Sequence, residues 1–60
     1  MPVITFEADK LTYEQKQEIV KEFSETAARI TNIPEEAYYV FIKENEPINV
    51  GVGGKLLSDR

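Results

Sequence analysis

The 60-residue chain contains no cysteine, no histidine and no tryptophan. Without cysteine it can form no disulfide and no thiolate metal site. Without histidine as well, the chain lacks both of the ligand types on which zinc sites are chiefly built. No apolar run approaches the roughly 20 residues needed to span a bilayer. Met1-Pro2-Val3 carries neither the charged n-region nor the apolar h-region of a secretory leader. Seven basic residues stand against 11 acidic ones, a net charge of −4. That balance argues against nucleic acid and against an anionic membrane surface, and no basic stripe interrupts it. These absences together predict a cytoplasmic protein.

Length adds a further exclusion. A chain of 60 residues is one domain, and such a domain buries only about 60% of the surface its unfolded chain exposes. A core of that size rarely supplies more than ~3–5 kcal/mol. Disulfides and metals being unavailable, self-association is the remaining way to gain burial.

What is present reads as strand, helix, strand. Val3-Ile4-Thr5-Phe6-Glu7 is β-branched and aromatic and predicts a strand, with Pro2, Ile4 and Phe6 on one face. After a turn at Ala8-Asp9-Lys10, Thr12 and Gln15 have the spacing of a capping box, and Glu14 suits the positive end of the helix dipole. Tyr13, Val20, Phe23, Ala27 and Ile30 recur at helical spacing, with Ile19 widening the stripe. Glu25 and Arg29 are spaced for an i,i+4 ion pair. Asn32 suits a left-handed cap, and Pro34 stops the helix. Tyr38-Tyr39-Val40-Phe41-Ile42 predicts the second strand. Ile48 to Val52 reads as a short strand or hairpin arm, Gly53-Gly54 as a sharp bend, and Lys55 to Arg60 as a weakly ordered tail unless a neighbouring subunit holds it. The fold class is therefore α/β, a single βαβ unit with a C-terminal β-hairpin and no second domain. Two parallel strands and one helix leave one sheet face bare, and parallel sheets are normally covered on both faces. Size and sheet geometry thus agree on an oligomer.

Three features in order resemble the 4-oxalocrotonate tautomerase family. They are Met1-Pro2 leading directly into an apolar strand, Glu14-Gln15-Lys16 opening a long helix, and the closing Val50-Gly51-Val52-Gly53-Gly54-Lys55-Leu56. The likeness spans nearly the whole chain. It implies a hexameric or trimer-like assembly of βαβ units, here expected to be a homohexamer. It also implies loss of Met1, and a proline amine that moves a proton in an unsaturated 2-oxo acid without cofactor or metal.

The chemistry suits the composition. A general base works best with a pKa near the working pH. With no histidine or cysteine, the α-amino group, at about 7.7–8.0 as a class, is the one group here with a reference value near neutrality. Apolar neighbours lower it further, and Ile4, Tyr39, Phe41 and Val50 are candidates for that role. Taken alone, Pro2 reads as the start of an edge strand, where a missing N–H does no harm; the resemblance makes it the candidate catalytic base.

The departures concern substrate charge. The enzyme that names the family holds a dicarboxylate with two arginines. One lies just before the helix, where this chain has Leu11 with Lys10 beside it. The other lies on the second strand, where this chain has Tyr39. The family's aromatic hairpin residue corresponds to Val50. A lysine that some relatives place before the second strand has no counterpart in Asn32-Ile33-Pro34-Glu35-Glu36. The candidate substrate-binding residues are thus Tyr39, Leu11, Val50 and Lys10, with Lys43 a further cation and the Tyr39 hydroxyl a donor to an enolate. Two readings follow. One is a tautomerase acting on a small oxo acid or enol less charged than a dicarboxylate. The other is a binding or structural oligomer on the same scaffold with vestigial activity.

Overall fold

The computed structural model describes residues 1–60. Strand β1 spans Val3–Ala8, helix α1 Tyr13–Thr31 and strand β2 Tyr39–Glu44. β1 and β2 pair in parallel, with Val3 opposite Tyr39, Thr5 opposite Phe41 and Glu7 opposite Lys43. The βαβ unit and the hairpin beyond it match the architecture expected from the residues.

The helix ends are built as the local chemistry dictates. Thr12 accepts from the Gln15 N–H at 3.1 Å, and the Gln15 side chain accepts from the Thr12 N–H at 2.9 Å. Both halves of the capping box are therefore made, satisfying donors the helix leaves orphaned. Asn32 closes the helix at φ 62°, its N–H donating to the Ala28 carbonyl. The Tyr38 hydroxyl lies within hydrogen-bond reach of the Thr31 hydroxyl and the Ala27 carbonyl, tying the start of β2 to the last turn of α1.

Alternation along the strands sorts the sheet into two unlike faces. Ile4, Phe6, Val40 and Ile42 turn toward α1, where Phe6 meets Phe23 edge-to-face at 5.6 Å. Val3, Tyr39 and Phe41 lie on the other face, each about half exposed at 50%, 51% and 49%. Nothing within the protomer covers them. Of the expected core stripe, Tyr13 and Ile30 are 70% and 67% exposed, and the mid-helix Val20 and Phe23 are 40% and 38% exposed. At the two ends the reason is length: 19 helical residues span about 28 Å, whereas six strand residues span about 20 Å. The helix overruns the sheet at its ends, and its terminal apolar residues project past it. Glu25 and Arg29 are not within ion-pair distance; the one ion pair is Lys16–Glu44 at 3.2 Å.

The C-terminal segment differs from expectation. Ile48 and Asn49 belong to a 3-10 turn, Pro47–Asn49, rather than to a strand. Strands β3 (Gly51–Val52) and β4 (Lys55–Leu56) form an antiparallel hairpin. Gly53 and Gly54 have φ of 61° and 85°, the two positive values a type I′ turn needs. The tail is ordered: Leu57–Asp59 forms a 3-10 turn, and the Leu57 N–H donates to the Val50 carbonyl at 2.8 Å. This arm packs chiefly on itself, and it lengthens the protomer to 43 × 24 × 15 Å.

The protomer is consequently under-buried. Its radius of gyration is 14.7 Å, where a compact chain of this length has about 10 Å. Its accessible surface is 4866 Å², against about 4000 Å² for a compact monomer of this mass. The only buried residue is Ser24, and no hydrophobic side chain is buried.

Candidate active site

Pro2 is half-buried where the chain enters β1, and its carbonyl accepts from the Tyr39 N–H at 3.1 Å. That bond is the first rung of the parallel ladder. It fixes the Pro2 backbone beside the residue that begins β2, so two candidates distant in sequence have adjacent backbones. Met1 is 82% exposed. While Met1 is attached, the Pro2 nitrogen is a tertiary amide with no lone pair to offer; its removal leaves a secondary amine at the same place. The expected apolar neighbours are split by the sheet. Ile4 turns toward α1, whereas Tyr39 and Phe41 lie on the open face.

The other candidates are elsewhere in the protomer. Lys10 and Leu11 follow the far end of β1, six strand residues or about 20 Å from Pro2. Lys10 is exposed, and its N–H donates to the Asp9 carboxylate at 2.9 Å. Leu11 is partly buried, and its N–H donates to Glu44 Oε2 at 2.9 Å. Val50 is partly buried in the C-terminal arm, its N–H donating to the Pro47 carbonyl. Lys43 is exposed on the open sheet face opposite Glu7. One protomer therefore joins the backbones of Pro2 and Tyr39, with Pro2 in line with Ile4 and the Tyr39 side chain on the open face, and places Lys10 and Leu11 at the opposite end of the strands. Two open grooves flank α1, one beside Arg29 and Asn32 and the other beside Lys21 and Ser24; neither touches Pro2 or Tyr39.

Sequence reasoning missed Glu44. Its carboxylate accepts from the Leu11 N–H and pairs with Lys16. The Leu11 hydrogen bond first, and then Lys16, hold its carboxyl below the usual carboxylate range. Glu44 lies 33 residues from Leu11, so no local spacing signals the contact.

Comparison with known proteins agrees with this architecture. The family model described as tautomerase enzyme matches residues 2–60. A curated relative from Bacillus cereus, described as a probable tautomerase, is 36% identical over 61 residues, covering all of both chains. The solved structure of DmpI from Archaeoglobus fulgidus is 38% identical with a TM-score of 0.86, over 97% of this chain and 100% of that one. YwhB, described as a homologue of 4-oxalocrotonate tautomerase, is 35% identical with a TM-score of 0.90, over 98% of each chain. A family match over nearly the whole length, full-length identity above a third and the shared βαβ-plus-hairpin fold lead to one conclusion: the chain belongs to the tautomerase family.

Proposed function

We propose that this protein is a tautomerase that moves a proton in a small 2-oxo acid or enol, with the secondary amine of Pro2, freed by loss of Met1, as general base. The observation that carries the proposal is the anchoring of Pro2 against Tyr39 at the head of the sheet, in a chain with no other near-neutral base. With an enol substrate, the amine lone pair accepts the hydroxyl proton. The C–O π bond forms as the C–C π bond opens, and the ammonium returns the proton to carbon. The Tyr39 hydroxyl donates to the oxygen that carries developing charge. No net charge or redox change is required.

The same reading makes the working unit an oligomer, a homohexamer. Half-exposed Val3, Tyr39 and Phe41, a self-packed arm and a protomer without a buried hydrophobic side chain support it. In such an assembly a neighbour's Lys10–Leu11 loop and arm, with Val50, supply the walls that Pro2 lacks in its own chain. Leu11 and Tyr39 cannot neutralise a carboxylate, and unpaired buried charge costs several kcal/mol. The substrate is therefore a monoacid or a neutral enol rather than a dicarboxylate.

That missing cationic clamp also favours the second reading, an oligomeric binding protein with vestigial activity. Proton exchange and ketonisation measured with Met-processed protein separate the two. Turnover of phenylenolpyruvate well above the buffer rate supports the enzyme. Absence of turnover with phenylenolpyruvate and with 2-hydroxymuconate supports the binding protein.

A further inference from the structure

The loop from Asp9 to Thr12 joins β1 to α1 and presents three backbone N–H groups, each met by a side-chain oxygen. Lys10 donates to Asp9 and Thr12 donates to Gln15, both partners being within the loop and first helical turn. Leu11 alone donates to a distant residue, Glu44 at the end of β2. The two local bonds shape the loop, but neither ties it to the sheet. Glu44 does, and its other oxygen is held by Lys16 one turn into the helix. A single carboxylate thereby joins the loop, the helix and the second strand. The exit of β2 is itself fixed: the Asn45 N–H donates to the Ala8 carbonyl at 2.8 Å, and the Asn45 side chain donates to Glu7 at 3.0 Å. Glu44 thus stands on a hydrogen-bonded strand end, and its bond to Leu11 is the loop's one hydrogen bond to the sheet.

We propose that Glu44 is a positioning residue for substrate binding: it sets where Lys10 and Leu11 stand, and so the shape of the wall they present. The inference rests on the preceding reading, in which that loop lines a site containing a neighbour's Pro2. Glu44 itself touches no reacting atom. Its loss is expected to weaken substrate binding without altering the base.

The test compares Glu44→Ala, Glu44→Gln and Lys16→Met in the Met-processed assembly. The readouts are steady-state kinetics on phenylenolpyruvate and amide hydrogen exchange at Leu11. A hydrogen bond to a charged acceptor is worth enough for Glu44→Ala to raise KM about tenfold and to speed Leu11 exchange by a similar factor. The amine pKa read from the pH profile of kcat/KM is expected to stay where it is in wild type. Glu44→Gln keeps an acceptor for the Leu11 N–H and is expected to recover most of both effects. Lys16→Met keeps the carboxylate without its cation and is expected to raise KM about threefold; it serves as the test if Glu44→Ala does not assemble. An active wild type whose KM is unmoved by Glu44→Ala, or by Lys16→Met in its place, overturns this proposal alone. A shift of the amine pKa in Glu44→Ala likewise overturns it, by placing Glu44 in the electrostatics of the base. An inactive wild type overturns the Pro2 reading and this proposal with it.

Discussion

Replacing Phe41 by alanine removes a ring from the face of the sheet that nothing in the protomer covers. Phe41 is 49% exposed there, beside Tyr39 and Val3. A phenylalanine in a core or interface buries on the order of 200 Å², so roughly half of that, about 100 Å², is left for a neighbour to bury. At about 25 cal/mol per Å² this is about 2.5 kcal/mol per protomer. In an isologous contact each copy contributes the same ring, and the loss doubles to about 5 kcal/mol. That corresponds to a dissociation constant weaker by roughly a thousandfold or more. Because Phe41 lies away from α1, the helix and the β1–β2 ladder should keep their local bonds. Sedimentation velocity over a dilution series, with far-UV circular dichroism as a check on helix content, measures the effect. Wild type is expected to stay associated at concentrations where Phe41→Ala has fallen apart. A dissociation midpoint within tenfold of wild type would refute the assignment of this face to the subunit contact. A stable folded wild-type monomer at micromolar concentration would refute the assembly altogether.

Three further outcomes follow from named contacts. Thr12→Ala breaks the capping box at the Gln15 N–H and should cost about 1 kcal/mol, lowering Tm by several degrees in thermal unfolding, with Thr12→Ser restoring most of it. Glu44 has its folded carboxyl pKa lowered by the Leu11 N–H and Lys16, so its contribution to stability is fully present above the ordinary glutamate value of about 4.3. As pH falls below that value the unfolded chain takes up the proton first, and the contribution is lost down through the folded pKa; urea midpoints from pH 6 to pH 3 should fall less in Glu44→Gln than in wild type. Leu11→Arg combined with Tyr39→Arg supplies the paired cations a dianion needs and should shift the ratio of kcat/KM toward 2-hydroxymuconate; an unchanged ratio means those positions do not face substrate.

Much of this fold is legible in the residues because it is local. Thr12 and Gln15 are three apart, Asn32 precedes Pro34 by two, and the β-branched and aromatic runs of β1 and β2 need no distant partner to be recognised. What is not legible depends on distance or on the extent of neighbouring elements. Tyr13 and Ile30 have helical spacing, yet they are exposed because α1 outruns a short sheet. The tail is ordered because Gly53 and Gly54 turn the chain back so that Leu57 reaches Val50, a register the composition of Lys55 to Arg60 does not express. Glu44 reads as one more surface acid among 11 until the fold carries it to Leu11 and Lys16. The candidate base shows a third case. A proline before a strand is ordinary, and its meaning came from the resemblance over the whole chain; the fold adds the bond that sets it beside Tyr39.

The central claim is that the freed amine of Pro2 is the base, and it is tested most directly by one chain in two states. Protein retaining Met1 and protein cleanly processed to Pro2, both verified by mass and by sedimentation as the same assembly, are compared for ketonisation of phenylenolpyruvate across pH. The processed protein is expected to be active, with kcat/KM rising through a single pKa below the 7.7–8.0 or so of an exposed amine, because apolar surroundings disfavour the charged form. The Met1-retaining protein, whose Pro2 nitrogen is an amide, is expected to show only the buffer rate. Equal activity in the two samples would contradict the account.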